Sequence, residues 1–305
     1  MTTLFVAVLG LTAAPLALEQ LNNLRGVAER WTRNTFLNGI VAVQASAKES
    51  VESEPPAFDA NMNRADSSND FRWNGRVASG GTIEVKGILG NVKAEASSSG
   101  EVEVVAVKSG RRSDPKEVEI RVVEHNNGVT ICAVYPNGDP GRPNDCQPGP
   151  SGHSSVHNND VNVDFTVRVP QGVRFRGSTI NGNVETGTLG SDVEATTING
   201  SIKISAAGIA RATTINGSIT ASLGSANWTS PLEFKTVNGG ITLDLPSNTS
   251  AEVSAETLNG DISSDFQMNT LTRVGRKHLN GTIGSGGREL SLKTINGNIR
   301  LRRAS

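Results

Sequence analysis

Thr197-Ile198-Asn199-Gly200-Ser201-Ile202 and, a few residues on, Thr214-Ile215-Asn216-Gly217-Ser218-Ile219 are two copies of one hexapeptide, and its reading decides the fold. Asn-Gly recurs at Asn181, Asn199, Asn216, Asn238, Asn259, Asn280 and Asn296, with spacings of 18, 17, 22, 21, 21 and 16 residues, which makes it an internal repeat. Alone, the dipeptide signals a two-residue hairpin turn. The flanks argue otherwise. The residue before Asn is Ile180, Ile198, Ile215, Val237, Leu258, Leu279 or Ile295, and the third after it is Val184, Ile202, Ile219, Ile241, Ile262, Ile283 or Ile299. Apolar alternation thus runs through the dipeptide, as in Ile198, Gly200, Ile202 and Ile204, and predicts an extended strand with Gly inward and Asn outward.

Upstream the parity is opposite, with Val193 and Ala195, Ala210 and Ala212, Leu232 and Phe234, Val253 and Ala255, and Leu290 and Leu292 standing six and four residues before Asn. A chain that keeps one face buried while its alternation slips by one residue must turn a corner, here two to three residues before Asn. Each repeat is then two short strands that cannot bury their apolar row alone, so the repeats must stack. The predicted fold is all-β: a β-helix or solenoid of about seven to eight short coils, roughly 35 Å long at about 4.8 Å per rung, with a less regular N-terminal β segment. Ile83, Val85, Ile88, Gly90, Val92 and Ala94 fit the same register with Leu89 in the Asn place, predicting an early coil. The expected organisation is an N-terminal β part over 71–135, a loop over 136–159 and the repeat solenoid over 160–305, led by the alternating strand Val161 to Val169. Arg300, Arg302 and Arg303 on the last strand would blunt an exposed edge.

Composition agrees. The 305 residues are 36% hydrophobic, but only Phe 8, Trp 3 and Tyr 1 are aromatic, so Val, Ile, Leu and Ala must build the core, and a helical bundle is disfavoured. Twenty-nine basic against 30 acidic side chains leave a net charge of −1, without the electrostatic footprint of a nucleic-acid binder. Residues 1–47 read as an export segment: Arg25, Arg30 and Arg33 precede an apolar run, Phe36 to Val43, and Ala45-Ser46-Ala47 follows it, favouring a cut after Ala47 over one near Ala17. Neither apolar run there reaches the roughly 18 residues of a membrane span, so none is expected in the mature chain. Residues 48–70 read as a flexible linker. Cys132 and Cys146 bracket a Pro/Gly/Asn-rich stretch, and a disulfide between them would stabilise an exported protein by roughly 3 kcal/mol in the chain-entropy model.

The Thr-Ile-Asn-Gly-Asn-Val, Thr-Ile-Asn-Gly-Ser-Ile and Thr-Val-Asn-Gly-Gly-Ile repeats, with the strand Val161 to Pro170 before them, resemble the bacterial putative-adhesin family of unknown function over roughly Phe71 to Ser305. The resemblance implies an exported or envelope-facing β-solenoid with no established catalytic activity and no catalytic residues to carry over.

Chemistry is sparsely signalled. His153, His157 and Asp160 lie in a loop where no helix aligns them for a metal, and His125 and His278 lack partners at a recognised spacing. Asp192, Glu194, Glu233, Asp244, Glu252 and Asp261 are scattered over rungs, which reads as a solvated surface; a glycan-cleaving pair would be the enzymatic alternative. No cofactor is expected. Thr179, Thr197, Thr214, Thr236, Thr257 and Thr294 stand two residues before Asn, His278 being the exception. If the corner leaves Thr outward, Thr and Asn form parallel ladders, either bonding rung to rung or offering a flat face to a glycan or a solvent lattice. The basic stretch Arg273 to Ser305, with Glu289 its one acid, reads as a charged cap or a contact for anionic envelope polymer. The expected function is an exported, non-enzymatic structural or adhesin-like module at the envelope, with an envelope glycan or anionic polymer as partner. Intact-mass measurement of the exported protein should show loss of the first 47 residues; recovery of full-length chain in the cytoplasm alone would overturn the export reading.

Overall fold

The structure, a computed structural model, describes residues 70–136, 141–274 and 277–304. The expected export segment and nearly all of the expected linker lie outside the described residues. Two sheets stack face to face. Strands β1 (Asp70–Gly75), β2 (Thr82–Lys86), β3 (Val92–Ala96), β4 (Val102–Ser109), β5 (Glu119–His125), β6 (Gly128–Val134) and β7 (Asn162–Val169) come before the repeats. The repeats contribute β8 (Arg174–Ser178), β9 (Val184–Leu189), β10 (Val193–Thr196), β11 (Ile202–Ala206), β12 (Ala210–Thr213), β13 (Ile219–Leu223), β14 (Leu232–Lys235) and β15 (Ile241–Leu245). They continue with β16 (Ala251–Asn259), β17 (Ile262–Ser264), β18 (Met268–Val274), β19 (His278–Ile283), β20 (Glu289–Asn296) and β21 (Ile299–Arg303). Sheet I has the order β18-β19-β16-β20-β14-β12-β10-β8-β2-β6-β5, and sheet II the order β1-β4-β7-β3-β9-β11-β13-β15-β21-β17.

A coil is one strand of sheet I, a corner, and one strand of sheet II. The predicted β-solenoid is therefore present, with seven such coils in the spatial order β2–β3, β8–β9, β10–β11, β12–β13, β14–β15, β20–β21 and β16–β17. The pair β6–β7 lies beside β2–β3 as an eighth turn whose corner is replaced by the loop between them. There Tyr135 donates its hydroxyl to Val161 O (2.7 Å), Asn144 holds Tyr135 O and Ser155 O, and Cys132 is bonded to Cys146 across a Cα separation of 5.7 Å. Burial pushes the Tyr135 phenol above its ordinary pKa. The core is column upon column of branched aliphatics. Val92, Val184, Ile202, Ile219, Ile241, Ile299 and Ile262 are register neighbours, each 3% exposed or less. Each such side chain contributes about 1.5–3 kcal/mol through burial.

Three expectations need correction. First, Asn-Gly is not inside a strand in four of the coils, although β16 and β20 run up to Asn259 and Asn296. In the coils of Asn181, Asn199, Asn216 and Asn238 the five residues from Thr to the one after Gly lie between strands, and Asn makes only an isolated bridge to its neighbours. Inward parity therefore passes through Thr, not through the half-buried Ile before Asn. Second, Asn280 makes no coil: it sits in β19, an antiparallel partner of β16 and β18 that covers the end of sheet I. Its missing Thr and the absence of an apolar pair upstream of it are the local reasons. Third, the last strand is not an edge. β20 and β21 insert between the coils β14–β15 and β16–β17, and Arg302 makes a two-point ion pair with Asp244 of β15 at 2.6 and 2.7 Å.

A chain ending at Arg288 lacks this inserted coil. Hydrogen exchange should then lose protection across β14–β15 and β16–β17, which would face an empty rung. Loss confined to residues next to the cut would show the coil to be an appendage.

Candidate functional site

The corner is the repeated site, and each of its side chains has a separate task. Thr179, Thr197, Thr214, Thr236, Thr257 and Thr294 are at most 4% exposed, so the Thr row faces the core, not the solvent. Each donates its hydroxyl to a glycine carbonyl of the adjacent coil: Thr179 to Gly90, Thr197 to Gly182, Thr214 to Gly200, Thr236 to Gly217, Thr294 to Gly239 and Thr257 to Gly297, at 2.8–3.0 Å. A carbonyl turned inward at a corner has no strand partner, and a buried polar group left so costs about 1–3 kcal/mol. The β-hydroxyl of Thr supplies the donor. Glycine is required by proximity: a Cβ on Gly182, Gly200, Gly217, Gly239, Gly260 or Gly297 would lie within 2.1 Å of the neighbouring glycine's oxygen.

The asparagines face outward and form one column. Asn199 donates to Asn181 (2.7 Å), Asn216 to Asn199 (2.8 Å), Asn238 to Asn216 (2.8 Å), Asn296 to Asn238 (2.7 Å) and Asn259 to Asn296 (2.7 Å), each through Nδ2 to Oδ1. Asn280 stands apart, its amide on His278 Nε2 at 2.9 Å. A further row escaped the sequence reading. The side chain after Asn-Gly accepts a backbone N–H of the next coil: Asn183 from Ser201 (2.8 Å), Ser201 from Ser218 (3.3 Å) and Asn298 from Asp261 (2.9 Å). Its signal was the small polar residue that follows most Asn-Gly pairs.

The other candidates disperse. Asp160 binds the backbone of Arg112 and Ser113, His153 N–H donates to Asp145, and His125 meets Thr130 Oγ1 at 3.2 Å. Asp192 accepts Ile209 N–H (2.9 Å), Glu194 pairs with Arg176 (2.9 Å), and Glu233 pairs with Lys235. Among the described residues no group of three or more His, Cys, Asp and Glu side chains is placed to hold a metal. The basic residues of the C-terminal stretch divide between faces: Arg300 and Arg302 lie on sheet II and Lys293 on sheet I beside Glu256. They make no single patch.

The outer face of sheet I carries two features. One is a row of alternating charge in register, Glu84, Arg176, Glu194, Arg211 and Glu233. Exposed pairs of this kind contribute little, but Glu84 is 4% exposed and held by Thr130 Oγ1 (2.9 Å), Gly149 N–H (2.8 Å) and the Arg176 guanidinium (3.6 Å). Lys86 beside it donates to the carbonyls of Gln147, Gly149 and Ser151, fastening the segment that follows the disulfide over this end. Burial lowers its pKa, against the opposing pull of Glu84. The other feature is a groove of about 480 Å³ lined by Glu252, Glu289, Ser254, Ser291, Asn280 and Lys293. Glu252 and Glu289 are register partners on neighbouring parallel strands.

Residues 175–302 match the family model described as Toastrack DUF4097, the same repeats that carry the resemblance drawn from the sequence. Among solved structures the chain is similar to a putative cell adhesion protein from Clostridium sporogenes, at 12% identity and a TM-score of 0.41, covering 77% of this chain and 100% of that one. It is also similar to a putative adhesin from Bacteroides fragilis, at 11% identity and a TM-score of 0.31, covering 77% of this chain and 97% of that one. No curated protein matches.

The corner geometry ranks three substitutions. Gly217→Ala forces a Cβ onto a backbone oxygen and should cost at least the roughly 1–3 kcal/mol of an overpacked core. Thr236→Val keeps the volume but orphans the Gly217 carbonyl, for about 1–3 kcal/mol. Asn216→Ala removes two exposed bonds and should cost about 1 kcal/mol. Denaturant unfolding of the three variants measures the order, and an Asn216→Ala loss larger than that of Thr236→Val would refute the assignment.

Proposed function

We propose that this chain, whose residues 175–302 match the Toastrack DUF4097 family model, acts as an exported, non-enzymatic, adhesin-like binding module at the bacterial cell envelope. The observation that carries the reading is the fate of the repeated side chains. Thr, Asn and Gly of the corner all serve to hold coil to coil, so what the chain repeats is a rigid platform with broad polar faces rather than a set of reactive groups. The Cys132–Cys146 bridge supports an oxidising compartment, where such bonds persist. No helix among the described residues is long and apolar enough to cross a membrane.

The groove with Glu252 and Glu289 bears on the enzymatic alternative. Glycoside cleavage needs two carboxyl groups flanking the scissile bond, about 5–9.5 Å apart. These two project from adjacent parallel strands in register, so they stand side by side on one wall, and a chain lying in the groove would meet both from the same side. That arrangement favours contact over cleavage.

The test pairs localisation with binding. The tagged protein should be found outside the cytoplasm and retained by at least one polymer in a panel of envelope glycans, with no release of reducing ends. Reducing ends that appear with wild type and vanish with Glu252→Gln or Glu289→Gln would establish the enzyme instead.

A further inference from the structure

The face that bears the asparagine column continues past its end. Next to Asn181 the neighbouring coil has Leu89 in the Asn place, so the amide row stops there. Around Leu89 the surface opens into a cleft of about 820 Å³, lined also by Arg111, Arg112, Asn159, Asp160 and Asn162. Most of its polar groups serve the fold. Asp160 accepts the backbone N–H groups of Ser113 (2.9 Å) and Arg112 (3.2 Å) and pairs with Arg112 Nε (3.4 Å). These donors hold its carboxyl down to about 2, so the turn at 110–114 keeps its anchor at any pH above the ordinary carboxylate range and loses it only as pH falls towards that value. Asn159 donates to Glu117 (2.8 Å) and accepts Val161 N–H (3.0 Å). Of the carboxylates beside the cleft, Asp164 binds Asn91 and Asp114 caps Lys116 N–H.

Arg111 is the exception. It is exposed on the same anchored turn and has no described carboxylate within ion-pair distance. Arg112 and Asp160 cancel, which leaves one uncompensated guanidinium at the mouth of a cleft whose other surfaces are amide, hydroxyl and one aliphatic side chain. A single planar fork of donors suits a carboxylate, with one negative charge, better than a phosphate with nearly two. Asn162 offers hydrogen bonds to sugar hydroxyls, and half-buried Leu89 offers an apolar patch to a pyranose face. The asparagine column beyond would lie under further residues of the same polymer, each amide keeping a second N–H and a second lone pair free of the ladder.

We propose that this cleft anchors a carboxylate-bearing glycan, with Arg111 gripping a uronate carboxylate. The inference rests on the reading of the chain as an envelope-binding module and names its site and ligand class. The probe is oligogalacturonate, with its methyl ester as the neutral counterpart, titrated calorimetrically into the full chain at low salt. The acid should bind at least tenfold more tightly than the ester and weaken as salt is added. Arg111→Ala should lose at least tenfold, Arg111→Lys less, and Arg300→Ala on sheet II nothing. Equal binding of acid and ester, or of wild type and Arg111→Ala, overturns the cleft while leaving a binding module elsewhere on the surface. Failure to bind oligogalacturonate overturns it too, and if the panel of envelope polymers also goes unbound, the module reading falls with it.

Discussion

One hydrogen bond repeated at six of the seven corners, from a buried Thr hydroxyl to a glycine carbonyl of the neighbouring coil, is the constraint on which the rest of the solenoid depends. Strand ladders satisfy their own backbone, but a corner turns a carbonyl inward where no strand can reach it. Thr supplies the missing donor from the only direction available. The bond is possible because the glycines stack backbone on backbone, with the next carbonyl oxygen occupying the place of a side chain. Both requirements bind the same coil pair, so neighbouring coils can meet in only one register. Once that register is set, the asparagines fall opposite one another on the outside, and their ladder follows from the corner rather than creating it.

The same self-complementarity explains how the C-terminal coil can sit out of order. A coil built on this motif presents the same donors, acceptors and apolar columns above and below. Any coil can therefore neighbour any other, and β20–β21 fits between β14–β15 and β16–β17 with an unbroken run of Asn238, Asn296 and Asn259. The insertion leaves the antiparallel strands β18 and β19 to cover the end of sheet I and puts Arg302 beside Asp244. The terminal arginines, on an interior strand, blunt no edge.

Outside the corners the faces are free to vary, and function must lie in that variation. On sheet I the variation is charge: alternating ions along most of the stack, a buried Glu84 beneath the segment that follows the disulfide, and an unalternated Glu252–Glu289 pair at the far end. On the corner face it is the break at Leu89, where the amide row gives way to the cleft around Arg111.

The sequence alone determined the all-β class, the stacking of short coils, the approximate number of coils, the early coil around Leu89 and the outward asparagines. All of these are consequences of periodicity, and period-two alternation with a recurrent slip is visible without coordinates. The tertiary structure decided three things. It turned Thr inward, because a β-branched hydroxyl reads as polar in a pattern of apolar and polar residues, and only the facing carbonyl shows that its burial is satisfied. It removed Asn280 from the stack, because a dipeptide match does not reveal that the strands around it run antiparallel. And it chose the order of the coils: a motif that pairs equally well with every copy of itself encodes that coils stack, while connection length and closure of the chain decide which copy lies beside which.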